Sequence, residues 1–258
     1  MLLLLSPAKS LDYESPMPDL PHSEPLFVAQ SVRLIRELRR LKAPQIAELM
    51  DLSDDLARLN AARYKAWRRE VPPQTSRQAV LAFDGDVYGG LDAKSLTSAD
   101  LHWTQQHVAM LSGLYGVLRP LDRMQPYRLE MKTRLANERG ANLYQFWGER
   151  ISQYLNQRLA ADAEPVVVNL ASQDYFKAVD RKALRARVVE CVFEELRDGR
   201  YKVISFMAKR ARGLMARHVI RTRATQVHQL ETFHAEAYVL DRQVSQTDRL
   251  VFRRSAPN

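Results

Sequence analysis

Residues 166–177 read VVVNLASQDYFK, and the first five of them decide the fold class. Val166–Leu170 is short, apolar and β-branched, the pattern of a strand buried on both faces, as in a parallel sheet covered by helices. Its end hands over to a polar loop holding Ser172, Asp174, Tyr175 and Lys177. The same hand-over occurs twice more. Met1–Leu5 is continuous and apolar and runs into Ser6-Pro7-Ala8-Lys9-Ser10, while Ala79–Phe83 runs into Asp84-Gly85-Asp86 and Tyr88. In open α/β sheets ligands gather at the carboxyl ends of strands, so these three loops are expected to converge on one site. The expected fold is α/β: a mixed sheet of short buried strands flanked by helices, with a helical hairpin inserted.

Between the strands, hydrophobic periodicity predicts helices. Pro25–Leu41 follows a 3.6-residue repeat, and Pro44 suits the first turn of a short helix ending near Met50. Ser53 or Asp54 would cap a third helix reaching about Arg69. These form a helical subregion at about 25–70 within one α/β domain over 1–258. Residues 12–25, with Pro16, Pro18, Pro21 and Pro25, read as an irregular surface arm. Helices are also expected at Thr97–Met110 with Ser98 as cap, at Leu143–Leu159, and from Met207 to about Arg223. Val188–Phe193 and Tyr201–Phe206 around Asp198-Gly199 read as a hairpin. Short strands near Ala237–Leu240 and Leu250–Phe252 close the chain, with a frayed terminus after them.

LSGLYGVLRPLDRMQPYRLEM, residues 111–131, resists assignment to any one element. Gly113 and Gly116 permit close backbone approach or positive φ, and Pro120 and Pro126 fix extended corners. Arg119, Asp122, Tyr127, Arg128 and Glu130 are thereby set on stiff backbone, suited to holding an anion or a base, or to pairing among themselves.

The chain has 258 residues, 46% of them hydrophobic, enough for a sizeable core. Its 39 basic and 30 acidic residues leave +9, which favours polyanions through phosphate contact, unless the excess simply solvates the surface. Arginine supplies most of it and can contact phosphate in two-pronged fashion. Cys191 is the single cysteine, so a disulfide framework is excluded. No cofactor motif or metal-ligand spacing occurs, and none of the six histidines is placed as a ligand. The apolar run at Met1–Leu5 is shorter than a signal core or membrane span, so a cytoplasmic location and no membrane partner are expected.

Two basic sets are candidates for DNA phosphate contact: Arg58, Arg63, Lys65 and Arg68 in the third helix, and Lys209, Arg210, Arg212 and Arg217 in the helix after 207. The second carries no intervening acids, an arrangement that destabilises a helix unless something anionic faces it. The candidate catalytic set is Lys9, Asp84, Tyr88, Arg119, Tyr127, Arg128, Glu130, Asn169, Ser172, Tyr175 and Lys177. In it Lys9 or Lys177 could form a Schiff base, Glu130 or Asp84 act as general base, and Arg119 and Arg128 stabilise negative charge. Its ligand would be a nucleotide or nucleobase. Asp84, Asp86, Glu130 and Asp174 are a less favoured alternative as oxygen ligands for iron.

Six motifs in order resemble the bacterial peroxide stress resistance protein YaaA family: LLSPAKSLDY at 4–13, LAFDGDVYGGL at 81–91, the 111–131 stretch, LYQFW at 143–147, NLASQDYFKAV at 169–179 and VISFMAKRARGLMARHVI at 203–220. Asp174 departs from the glutamate more usual there. The resemblance implies a cytoplasmic DNA-binding protein that limits free iron and oxidative DNA damage, with a basic cleft and a helix-hairpin-helix near 44–67. The residues leave a second reading open, a glycosidase or lyase acting on a nucleotide, nucleobase or damaged DNA.

Overall fold

The computed structural model describes residues 1–16 and 20–255. Pro18 of the arm and the frayed terminus expected at 256–258 lie outside them. In chain order the strands are β1 (Leu2–Leu5), β2 (Ser10–Leu11), β3 (Arg77–Gln78), β4 (Phe83–Asp84), β5 (Val108–Ser112) and β6 (Gly116–Leu118). They continue with β7 (Arg123–Met124), β8 (Val166–Leu170), β9 (Arg187–Arg197), β10 (Arg200–Lys202), β11 (Val239–Leu240) and β12 (Arg249–Arg254). The α-helices are α1 (Val28–Arg39), α2 (Ala43–Met50), α3 (Asp54–Ala66), α4 (Ala79–Ala82) and α5 (Asp86–Leu91). After them come α6 (Ser98–His107), α7 (Leu143–Trp147), α8 (Arg150–Arg158), α9 (Gln173–Phe176) and α10 (Ser205–Thr222).

One mixed sheet carries the fold, in the order β11-β12-β9-β8-β1-β5-β6 with β10 on β9. Strands β12, β9, β8, β1 and β5 run parallel, and β6, β10 and β11 run against their neighbours. β1 is central, and all four of its residues are buried, as its unbroken leucines require. Register aligns Leu5 with both Met110 and Leu170, so β1, β5 and β8 end together. β9 pairs Glu190 with Asn169 and runs on to Arg197, so with β10 it projects past that edge as a wall.

Three helices form within the 25–70 subregion. α1 buries Leu34, Ile35 and Leu38, Pro44 lies in the first turn of α2, and the Ser53 hydroxyl caps α3 by accepting from the Leu56 N–H. Asp51 closes α2 in the left-handed region, and α2 packs on α3.

Several expectations need correction, among them the second hairpin strand, which ends at Lys202 so that Ser205 and Phe206 open α10. Ala79–Phe83 is mostly helix, not strand: the N–H groups of Ala79 and Val80 donate to the carbonyls of Asp122 and Pro120, Ala79–Ala82 coils into α4, and only Phe83 has a strand partner, Leu11 of β2. The helix expected at Leu143–Leu159 breaks into α7 and α8 at Gly148, whose φ of 49° is left-handed. The helix expected to reach Met110 stops at His107, since Val108–Ser112 becomes β5 on the edge of β1. Its cap is Thr97 rather than Ser98, in a reciprocal capping box with Asp100. The described residues of the 12–25 arm are irregular but anchored, with the Tyr13 phenol donating to the Met124 carbonyl and Arg77 to the Asp12 carbonyl.

Candidate functional site

The joint end of β1, β5 and β8 is where the polar loops meet. The Ser6 hydroxyl accepts from the Ser172 N–H at 2.9 Å, joining the loop after β1 to that after β8. The Tyr88 phenol of α5 donates to the Ser6 carbonyl at 2.9 Å. Asn169 shapes the turn from below, its side-chain oxygen accepting from the Ala171 N–H. Gly85 rests on Ala8, so the Asp84–Asp86 loop borders the same edge, and Asp84 pairs with Ser10 across β2 and β4.

Segment 111–131 folds back over this edge. Ser112, at the end of β5, shares a 2.6 Å hydrogen bond with the Tyr127 phenol and accepts from the Tyr115 N–H. Gly113 is required where the chain crosses itself, since a Cβ there would stand 2.2 Å from the Leu129 carbonyl oxygen. Gly116, at φ 69°, lies flat on the Trp147 ring. The segment then delivers Glu130, whose carboxylate is shared by Lys9 at 3.1 Å and Arg128 at 3.4 Å.

Around that triad stand Tyr88, Tyr127 and Tyr175, the last beside Glu130 and the Met131 backbone. Burial raises all three phenols above their ordinary value, so they stay neutral hydrogen-bonding groups. Beneath them Tyr115 accepts from the Trp67 indole N–H at 2.9 Å, and burial pushes its phenol up to about 12. At the rim, the Lys177 ammonium lies 5.1 Å from the Tyr144 ring centroid and Lys132 faces Asp174. Lys9 keeps 62% of its side chain exposed, whereas Glu130 keeps 15%. A Schiff-base role for Lys9 therefore lacks the desolvated setting that activates such amines. A carboxylate held between two cations among neutral phenols can accept hydrogen bonds from a polar ring.

Arg119 is not part of this assembly. β6 runs antiparallel to β5 and carries Arg119 toward the opposite end of the sheet. There its guanidinium is locked on the buried Asp122 at 2.7 and 3.0 Å, with Ser23 donating to the same carboxylate oxygen. Ser112 of the 111–131 stretch, which follows an apolar run as Ser6 does, joins this assembly although it is not in the candidate catalytic set.

A groove of about 750 Å³ leads from Glu130 between α2 and residues 132–136, over Leu41, Leu49, Met50 and Leu135. A larger hollow of about 1120 Å³ lies at the opposite, amino-terminal edge of the sheet. Its arginines Arg187 and Arg242 pair with Asp248 and Glu231, and none of the candidate residues lines it. Among the described residues no three His, Cys, Asp or Glu side chains gather as a metal site, so Asp84, Asp86, Glu130 and Asp174 form no such group. No helix among them is long and apolar enough to cross a membrane.

A family model described as peroxide stress protein YaaA matches residues 1–244. The chain belongs to this family. It is 63% identical to a UPF0246 protein of Albidiferax ferrireducens over 257 residues, covering 100% of this chain and 99% of that one. It is likewise 63% identical to a UPF0246 protein of Paracidovorax citrulli, covering 98% of each chain. A relative in Bordetella petrii is 59% identical, over 99% of this chain and 100% of its own. Membership supports a role in peroxide stress.

The family's basic candidates differ in how free they are here. On α3, Arg58 pairs with Asp55, and burial beside Tyr13 and Tyr64 lowers the pKa of Arg63. Arg68 donates to the Lys65 and Ala66 carbonyls, and Lys65 is exposed. On α10, Arg210 binds Glu236 at 2.7 Å, and Arg217 donates to the Leu91 and Asp92 carbonyls. Arg212 is half-buried near Glu190 and Cys191, its guanidinium pKa lowered by desolvation. Lys209 is exposed. Much of the anionic company α10 needs thus comes from the chain's own acids, including Asp100, which holds Arg221 and Arg223.

Proposed function

We propose that this protein acts in peroxide stress at the level of DNA, holding phosphates with exposed cations of α3 and α10 and offering the strand-end cluster to a nucleotide or base. The supporting observation is placement. Arg63 of α3 stands beside Tyr13, which follows Lys9, and α10 packs on α5, which begins just after Gly85 where that residue meets Ala8, the neighbour of Lys9. In this reading α3 and α10 are the sides of a basic cleft, and α2–α3 is its helix-hairpin-helix. Asp51 holds the left-handed turn position that a glycine would otherwise take. Limits on free iron and on DNA damage would follow from occupancy of DNA rather than from peroxide chemistry.

A salt series tests this. Log affinity should fall with log salt at about −0.9 per phosphate contacted, so Lys65→Ala/Lys209→Ala should flatten the slope by about 2. Salt-insensitive binding, or an unchanged slope in the double variant, would sink the reading.

Glu130, shared between Lys9 and Arg128, favours a second reading, hydrolysis or lysis of a nucleotide, nucleobase or damaged DNA. Glu130 would be the general base and Arg128 the stabiliser of developing negative charge. Chromatography of nucleotides and damaged duplexes after incubation should show products lost in Glu130→Gln while DNA binding persists. No product from any of them removes this reading.

A further inference from the structure

The groove of about 750 Å³ that leads from Glu130 is walled by Leu41, Leu49 and Met50 on one side and Leu135 on the other. Two polar groups open into it. Both cations of the triad sit on a single oxygen of Glu130, with the Lys9 ammonium 3.1 Å and the Arg128 guanidinium 3.4 Å from Oε1. Oε2 has no partner among the described residues and is not closed off from solvent, although the side chain is largely buried. Thr133 lines the same groove, brought alongside by a turn in which its N–H donates to the Glu130 carbonyl at 3.0 Å. Its hydroxyl likewise has no partner among the described residues, and a hydroxyl can donate or accept.

Charge decides which ligand suits this pair. Two cations already neutralise the carboxylate, so Oε2 is a strong acceptor for a neutral N–H rather than a partner for a third cation. At the rim Arg40 is held by Glu37 and Lys132 faces Asp174, which leaves exposed Glu48 and Asp51 against Arg134. A phosphate gains little from two acids and one base. The leucines and the Met50 thioether suit the face of an aromatic ring. A neutral heterocycle with an N–H beside an acceptor meets all these conditions, as N1–H beside O6 does in guanine and N6–H beside N1 in adenine.

We propose that this groove is a binding site for a free purine base or nucleoside, held by Glu130 Oε2 and the Thr133 hydroxyl without help from a phosphate. This rests on the base-binding part of the proposed function and adds to it the pocket and the chemical class it takes. The volume falls within the range of small-molecule sites, and a two-ring base covers more of the apolar wall than a pyrimidine does.

The test is calorimetric titration of wild type, Glu130→Gln and Ala136→Trp with guanosine, adenosine, guanosine monophosphate and uridine. Ala136 is exposed on the groove, so the indole fills it without entering the core. A purine nucleoside should saturate wild type, uridine should bind at least about fivefold more weakly, and the phosphate should add no more than about threefold. In Glu130→Gln the amide oxygen stays with Lys9 and Arg128 and its NH2 meets the ring's N–H, so affinity should fall by at least about fivefold. Ala136→Trp should abolish binding. No saturation by either purine nucleoside at millimolar concentration, unchanged affinity in either variant, uridine bound as well, or a larger gain from the phosphate would each overturn the proposal. The DNA salt series on wild type separates the two readings. DNA binding without purine binding removes this inference alone, and purine binding without DNA binding removes the DNA reading alone.

Discussion

Gly213→Ala is a direct probe of how tightly α5 and α10 are joined. A Cβ at 213 would lie 1.8 Å from the Val87 carbonyl oxygen and 2.8 Å from the Leu91 nitrogen, both backbone atoms that cannot rotate aside. A carbon needs about 3.3 Å from a carbonyl oxygen, so the helices must part by roughly 1.5 Å. Overpacking of this kind costs about 1–3 kcal/mol, and the rigidity of the opposing atoms argues for the upper end. Alanine offsets about 1 kcal/mol through helix propensity. The net loss of about 2 kcal/mol should lower Tm by roughly 4–8 °C in a chain of this size. The displacement should also be felt at the site, because α5 carries Tyr88, which holds Ser6, and α10 carries Arg210 against Gly89. Thermal unfolding followed by circular dichroism is the first assay, and DNA affinity well below Tm is the second. A Tm at or above that of wild type would refute the close approach, since propensity alone would raise it.

Three further outcomes follow from particular contacts. Arg254→Met should cost about 1.5–3 kcal/mol, because the fully buried Glu195 carboxylate loses the guanidinium that grips it at 2.8 and 3.0 Å and keeps only Arg197 and the Tyr238 phenol; Glu195→Gln in the same chain should restore part of it in urea unfolding. Ala237→Gly should raise stability by about 0.5–1 kcal/mol, since Ala237 and Glu236 occupy successive left-handed positions at φ 62° and 47°; an unchanged urea midpoint counts against strain there. Hydrogen bonds from Thr97 and Arg223 hold the Asp100 carboxyl down at about 2, below its ordinary 3.8. The unfolded chain protonates first on acidification, so this stabilisation is full above about pH 4 and is lost as pH falls toward 2. Asp100→Asn should lose less stability than wild type between pH 5 and 3, and parallel acid limbs in the two proteins would contradict the assignment.

The elements most legible in the sequence were those whose local pattern and tertiary setting agree. β1 and β8 are buried on both faces and look it, and Pro44 and Ser53 mark helix starts that tertiary packing leaves alone. Ala79–Ala82 shows the opposite case. An apolar run of four reads the same as helix or strand, and here Pro120 and Asp122, far along the chain, take its N–H groups. The meeting of the loops bearing Lys9 and Ser172 was legible because the parallel strands β1 and β8 end on one edge, whereas Tyr88 reaches it from α5 after a run that is helix and not strand. The fate of the arginines was not legible. Arg119 looked like its neighbour Arg128, yet the reversal at Gly116 sends it to the other end of the sheet. The partners of Arg210, Arg217 and Arg221 lie 26, 125 and 121 residues away, where no local spacing can reveal them.

The strand order has a consequence for how the chain comes together as it is made. The four leucines of β1 find their neighbours only at Val108–Met110 and Val167–Leu170, so no pair of the main sheet can form from the first hundred residues. Until then the most apolar strand must wait, shielded by whatever α1 to α5 provide. Closure across such sequence separations is slow, and an unpaired leucine strand invites pairing with another chain. Yield during rapid expression should therefore depend on temperature more than the stability of the finished fold would suggest.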